Sequence, residues 1–172
     1  KIISMPKNCY IHIPFCRSKC KYCSFVSFPR LELKKSYLNS LKEEIKIRYN
    51  NEELNTLYFG GGTPSVLTPN EFLEIIQMFN FAKNPEITTE LNPETMSLEY
   101  LQKLKQIGIN RISFGCQTFD DSILKIIGRR HSAKCTKQAV TMAQTAGIEN
   151  ISLDFIYGLP CQNLEGFETD LK

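Results

Sequence analysis

Apolar positions along the chain follow two rhythms that take turns. Asn8 to Ile13 is apolar and β-rich and is closed by Pro14, which predicts a strand. Lys34 to Tyr49 carries Tyr37, Leu38, Leu41, Ile45 and Tyr49 at helical spacing among charged residues. Leu54 to Phe59 predicts a second strand running into Gly60-Gly-Gly-Thr-Pro64. Thr68-Pro-Asn-Glu71 has the spacing of a capping box with Pro at the first helical position, and Phe72, Ile75, Ile76 and Phe79 form that helix's apolar face. Glu86 to Leu91 predicts the third strand, ending in Asn92-Pro93. Ser97 caps a helix over Leu98, Leu101, Leu104 and Ile107, which Gly108 ends. Arg111 to Phe114 predicts a fourth strand, leading into Gly115-Cys-Gln117. Helices follow over Asp120 to Ile127 and from the cap Ser132 to Gly147, and Ile151 to Phe155 predicts the fifth strand.

Strand and helix thus alternate five times without a hairpin signal, so the strands pair in parallel through helical crossovers. A doubly wound sheet and a (βα) barrel both satisfy this order. A full eight-unit barrel takes about 250 residues, so a chain of 172 would be a partial or truncated one.

Composition adds class but not chemistry. Apolar residues make up 42% and charged residues 23%, with no low-complexity tract, as in ordinary globular domains. The net charge of +3, with cations and acids interleaved, does not argue for nucleic acid. No apolar run approaches the roughly 20 residues of a transmembrane segment, and no signal-peptide pattern opens the chain. Seven cysteines, an odd number with three in ligand-like spacing, point to a reducing cytoplasm rather than a disulfide framework. The chain begins at Lys1 and stops at Lys172, just inside what reads as a new helix, so a piece of a longer protein is expected.

The residues that packing does not explain fall at or just past the strand ends, the edge where parallel α/β folds bind ligands. Cys16, Cys20 and Cys23 follow the first strand in CxxxCxxC spacing. Three thiolates on one loop suit either three corners of an iron–sulfur cube with one iron open, or a zinc tetrahedron closed by Cys9 or His12. Gly60 to Gly62 is a sharp turn or a place where backbone approaches a ligand closely. It is not a phosphate loop, since no Gly-Lys-Ser/Thr follows. Glu90 and Asn92 end the third strand, Gln117 follows the fourth, and Asp154 lies in the fifth. Glu90 and Asp154 have the alternative of pairing with a neighbouring cation, and Arg129 and Arg130 that of a solvated face or a grip on a carboxylate. With two histidines, neither in pattern with a nucleophile, a hydrolytic triad is not indicated. Cys116, Cys135 and Cys161 are expected to pack as small apolar residues.

Cys16-x-x-x-Cys20-x-Tyr22-Cys23 resembles the cluster motif of the radical S-adenosylmethionine (SAM) superfamily. Tyr10-Ile-His-Ile-Pro-Phe, Phe59-Gly-Gly-Gly-Thr-Pro64, Glu90-Leu-Asn-Pro93, Asn110-Arg-Ile-Ser-Phe-Gly-Cys-Gln117 and Leu153-Asp-Phe-Ile-Tyr-Gly-Leu-Pro160 resemble the branch holding oxygen-independent coproporphyrinogen III oxidase and the related haem chaperones. The resemblance implies an α/β fold, a partial (βα)6 radical SAM barrel truncated at its C-terminal end. Residues 1–172 would be its core domain, with the last barrel unit and a haem-related C-terminal domain beyond Lys172. It implies that Cys16, Cys20 and Cys23 hold a 4Fe–4S cluster whose open iron takes SAM. Tyr10 and Tyr22 would line that cofactor, and Gly61, Gly62 and Thr63 would hold its methionine end. Glu90, Gln117, Arg129 and Asp154 would make further contacts, a carboxylate on the ribose and Arg129 on the methionine carboxylate. In that superfamily the cluster's electron cleaves the sulfonium and hydrogen abstraction follows, chemistry that belongs to the cofactor.

One departure bears on the subfamily. The oxidase carries a further cysteine two residues after the third cluster ligand, where this chain has Phe25 after Ser24. Cys-x-Tyr-Cys-x-Phe and Gly128-Arg-Arg-His-Ser-Ala133 resemble instead the haem chaperones, which bind haem and deliver it to respiratory proteins. The resemblance thus implies SAM, haem or porphyrinogen, an electron donor and a haem-accepting respiratory protein as partners. The oxidase, and outside the superfamily a zinc-stabilised α/β binding module, remain the alternatives.

Overall fold

A computed structural model of the chain describes residues 7–172. Five strands, β1 (Asn8–Ile13), β2 (Glu53–Gly61), β3 (Asn80–Leu91), β4 (Arg111–Gln117) and β5 (Asn150–Phe155), form one sheet in sequential order, with every neighbouring pair parallel. The helices are α1 (Lys34–Arg48), α2 (Pro69–Ile76), α3 (Leu98–Gln106), α4 (Asp121–Ile126), α5 (Ala133–Thr145) and α6 (Leu164–Asp170).

Strand order decides what the sequence pattern leaves open. Parallel crossovers are almost always right-handed, so strands added one after another in the same direction put every crossover on the same face. A doubly wound sheet would reverse direction part-way, and this one does not. The strands record the consequence in their alternation. Ile11, Ile13, Leu57, Phe59, Ile87, Leu91, Ile112 and Phe114 are buried on the helix-covered face. Phe72 of α2 meets Phe59 edge-on at 5.0 Å, and Leu101, Leu104, Ala139 and Ala143 complete the packing from α3 and α5. The opposite, concave face is polar: Tyr10 aligns with Tyr58, Glu90 with Ser113, and Ser113 with Ser152. That is an open barrel wall, and its C-terminal rim carries the loops of interest.

Three strands run further than the pattern predicts. β2 continues through Gly60 and Gly61, and β4 reaches Gln117 through a register shift after Gly115. β3 begins at Asn80, where Asn80 and Phe81 pair with Glu53 and Leu54 before the register slips. Its first half contains Lys83-Asn84-Pro85 with Asn84 at φ 58°, which reads locally as a turn. The final helix, α6, is anchored where Thr118 Oγ1 and the Phe119 amide donate to buried Asp170 at 2.6 and 2.8 Å.

Candidate metal and cofactor site

The cysteine loop leaves β1 at Pro14 and is tied down at several points. The Phe28 amide donates to Pro14 O, and the Cys16 amide to Phe28 O. A turn closes from the Cys23 amide to Cys20 O at 3.1 Å, and the Lys21 amide reaches Ile127 O at the end of α4. The glycine loop after β2 lies directly against it, with the Gly62 and Thr63 amides donating to Ile13 O and Phe15 O, both at 2.8 Å. A Cβ on Gly62 would stand 2.7 Å from Phe15 O and 3.0 Å from Cys16 Sγ, and Gly61 sits at φ +113° under the His12 ring. Here close approach and backbone conformation, rather than a turn alone, require glycine.

Side chains then link the loops into a polar circuit. Thr63 Oγ1 donates to Cys16 Sγ at 3.3 Å, and Asn92 Nδ2 donates to Thr63 Oγ1 at 3.2 Å. Arg129 Nη2 donates to Asn92 Oδ1 at 2.9 Å and to Gly115 O at 2.8 Å, while Nη1 lies 3.7 Å from Cys20 Sγ. The circuit runs from one cysteine of the loop back to another through the ends of β2, β3 and β4. Behind it, His131 is buried and its Nε2 faces Cys116 O at 3.2 Å. A carbonyl only accepts, so Nε2 carries the proton and Nδ1 accepts from Arg129 Nε at 3.3 Å. Burial, then the Arg129 charge, holds the His131 pKa down to about 4.

The remaining predicted positions sit around this circuit. Glu90 has both oxygens engaged, Oε1 by Tyr58 OH at 2.9 Å and Oε2 by the Gly61 amide at 3.2 Å, and burial raises its pKa. Tyr10 stacks on Tyr58 at 5.8 Å. Asp154 takes Ser113 Oγ on Oδ1 at 2.7 Å. Gln117 is buried at φ 70°, a left-handed conformation uncommon outside glycine, at the register shift of β4. Tyr22 packs with Ile123, Leu124, Ile127 and Leu159, and burial pushes its phenol up to about 12 against the opposing pull of Arg129. All three cysteines and all nine other positions singled out from the sequence line one cleft of about 320 Å³, within the range of small-molecule sites. Asn92, His131 and Tyr58 complete the machinery. Asn92 was marked by its strand end, whereas nothing local to His131 or Tyr58 signals what each holds. Cys116 is buried and pushed up to about 11, but Cys161 is exposed, contrary to the expectation that it packs inside, because it lies in the loop before α6.

The family model described as the Radical SAM superfamily matches residues 10–172. The chain belongs to the radical SAM superfamily. It is 40% identical over 175 residues to a Bacillus subtilis (strain 168) protein named heme chaperone HemW, covering 96% of this chain and 46% of that one. It is 39% identical to the oxygen-independent coproporphyrinogen III oxidase of Helicobacter pylori (strain ATCC 700392 / 26695), covering 98% and 39%. The coproporphyrinogen III oxidase HemN from Escherichia coli, described as a radical SAM enzyme, superposes with a TM-score of 0.88 at 30% identity, over 96% of this chain and 40% of that one. The chain therefore spans less than half the length of these relatives.

Radical SAM membership implies a 4Fe–4S cluster and SAM, and the residues present fit them. The thiols of Cys16, Cys20 and Cys23 share the cleft, but among the described residues no three Cys, His, Asp or Glu side chains are gathered on one point as a single ion requires. The residues offered as a fourth zinc ligand are engaged elsewhere. His12 Nε2 donates to Val26 O at 2.8 Å and its Nδ1 accepts from Tyr10 OH at 3.2 Å, while Cys9 packs against the core. Ser27 is buried, lines the cleft, and its hydroxyl has no partner, an unspent polar atom of the kind a bound group would satisfy. Arg129 offers the cleft its Nη1 edge, beside Cys20, since Nε and Nη2 are committed to protein.

Proposed function

We propose that this chain is the cofactor-binding barrel of a haem chaperone, holding a 4Fe–4S cluster on Cys16, Cys20 and Cys23 with SAM beside it. The observation that carries the choice within the superfamily is Phe25. It is 67% exposed and lines the cleft at the position where the resemblance to the oxidases calls for a thiol. A benzyl side chain cannot serve in place of a cysteine, whereas an exposed ring suits the face of a flat macrocycle.

Roles follow from the free valences. Asp154 Oδ2 has no protein partner among the described residues and is placed to accept from ribose hydroxyls. Glu90, with both oxygens engaged, orients the Gly61 amide, and the backbone of Gly61, Gly62 and Thr63 then receives the methionine end. Tyr10, Tyr22 and Gln117 line the cofactor's flanks. Arg129 sets positive charge against the Cys20 sulfur, and hydrogen bonds to cluster sulfurs raise its potential.

The rest of the reading concerns the whole protein. Residues 1–172 form the radical SAM core domain, of which 1–6 lie outside the described residues. The last barrel unit and a haem-related C-terminal domain follow, and an electron donor and a haem-accepting respiratory protein are the partners. The cytoplasm is the compartment that suits seven free thiols, and no helix among the described residues is long and apolar enough to cross a membrane. The second reading, coproporphyrinogen oxidation, is favoured by the close superposition on the Escherichia coli oxidase. The full-length protein loaded with haem should transfer it to an apo respiratory haem protein. Anaerobic formation of protoporphyrinogen from coproporphyrinogen at steady turnover would overturn the chaperone reading in favour of the oxidase.

A further inference from the structure

β4 is interrupted beside the cleft. It pairs Gly115 with Asp154 and then Gln117 with Phe155, so Cys116 is the extra residue of a bulge and has no register partner on β5. Two successive carbonyls at this bulge are taken by side chains from the segment after α4. Gly115 O accepts from Arg129 Nη2 at 2.8 Å, and Cys116 O accepts from His131 Nε2 at 3.2 Å. The same two side chains are bonded to each other, Arg129 Nε donating to His131 Nδ1 at 3.3 Å. Gly115 leaves room for this arrangement: a Cβ there would stand 3.3 Å from Arg129 Nη2 and 2.9 Å from Gln117 Nε2.

Satisfying a buried carbonyl would be the ordinary task of such a histidine, and a donor alone performs it. The second ring nitrogen goes beyond that task. Arg129 is held at Nη2 by Asn92 Oδ1 and Gly115 O, and bonds made at one nitrogen leave a planar group free to pivot about it. The bond from Nε to His131 adds a second fixed point, and with it the plane of the guanidinium is set. Nη1 is thereby turned to Cys20 Sγ at 3.7 Å, although two carboxylates, Glu94 and Asp154, line the same cleft. The Arg129 backbone is held independently, its amide donating to Leu124 O at 2.9 Å, so a change at His131 acts on the side chain. His131 itself is buried and does not line the cleft. We propose that His131 is a positioning residue: through Nδ1 it locks the Arg129 guanidinium against Cys20, and so sets the reduction potential of the cluster and the grip on SAM from outside the site. The inference rests on the reading of the cleft as a cluster and SAM site. A positive charge fixed beside a cluster sulfur stabilises the reduced cluster and raises its potential. The same Nη1 edge is the one left to meet a ligand carboxylate. Removing an outer partner of this kind typically costs about 10–100-fold in affinity or activity, although the partner touches neither metal nor ligand.

The test uses the full-length protein, anaerobically reconstituted with iron and sulfide, and compares three changes at one position. His131→Asn places an oxygen near the position of Nδ1 and keeps the acceptor for Arg129. His131→Gln reaches Cys116 O with its amide and keeps the donor, and His131→Leu keeps neither. His131→Leu should bind SAM at least about tenfold more weakly in equilibrium dialysis. Its cluster, titrated potentiometrically without SAM, should have a midpoint potential more negative than that of the wild type. His131→Asn should restore both quantities towards the wild type and His131→Gln should not, whatever the order of their stabilities in urea. Equal restoration by the two, or shifts that simply follow the loss of stability, would reduce His131 to a structural role and overturn the proposal. So would a wild-type potential and SAM affinity in His131→Leu. If His131→Leu does not fold, the comparison of His131→Asn with His131→Gln decides. A wild-type protein that builds no cluster sinks the reading of the site and this inference with it, whereas a cluster indifferent to all three changes sinks this inference alone.

Discussion

His131 stands outside the cleft and acts on it only through Arg129, whose Nε it receives on Nδ1. An unfolded chain takes up a proton on this residue as pH falls through about 6.5, whereas the folded chain keeps the imidazole neutral down to about 4. The stability held by the neutral ring is therefore complete above pH 6.5 and drains away as pH falls through that window, by roughly 3 kcal/mol. Glu90, with its pKa raised, contributes in the opposite sense. His131→Gln should flatten the acid limb of a stability profile measured by urea unfolding between pH 4 and 6.5, and an unchanged limb would contradict the assignment. At Gly62 the prediction is steric. Gly62→Ala must move either Phe15 O or Cys16 Sγ, an overpacking cost of about 1–3 kcal/mol, so the variant should keep its far-UV circular dichroism but retain much less iron after reconstitution.

Among the elements, α2 is the one whose start the sequence states most completely. Thr68 Oγ1 accepts from the Glu71 amide at 3.2 Å, Glu71 Oε2 accepts from the Thr68 amide at 2.8 Å, and Lys34 adds an ion pair to that carboxylate at 2.8 Å. Thr68→Ala should cost about 1 kcal/mol in denaturant unfolding without altering cofactor binding, because the cap lies on the helical side of the sheet. Ser97 and Ser132 cap α3 and α5 as their spacing predicts. Caps are legible because a hydroxyl and an amide three residues on make the whole interaction. Strand ends are less so. The start of β3 pairs through Asn80 and Phe81 with a partner some 27 residues earlier, across a Lys-Asn-Pro segment whose local chemistry says turn. Likewise the left-handed Gln117 comes from a slip against β5 that no window around it encodes.

For the whole molecule, the periodicity specifies parallel βα units, and the sequential strand order then turns them into an open barrel with one polar wall. The cleft was legible in part as residues at or just past strand ends, and for Tyr10, Tyr22 and Arg129, which lie within β1, on the cysteine loop and after α4, through the family likeness of their motifs. Its wiring was not. Cys16, Thr63, Asn92, Arg129 and Cys20 are joined through contacts up to 109 positions apart, and only folding makes them neighbours. Arg129 shows the difference most clearly: a residue whose type suggests a two-pronged grip on a carboxylate spends Nε and Nη2 on His131, Asn92 and Gly115 and turns Nη1 to a sulfur. If the three thiols hold a cluster with one iron open to an amino-acid-like cofactor, that iron must respond when the cofactor binds. Electron paramagnetic resonance of the anaerobically reconstituted, reduced full-length protein, recorded with and without SAM, tests it most directly. Iron and sulfide in 4Fe–4S ratio, a signal that shifts on adding SAM, and loss of both in Cys16→Ala are predicted. Stoichiometric zinc with no signal, or a signal indifferent to SAM, would contradict it.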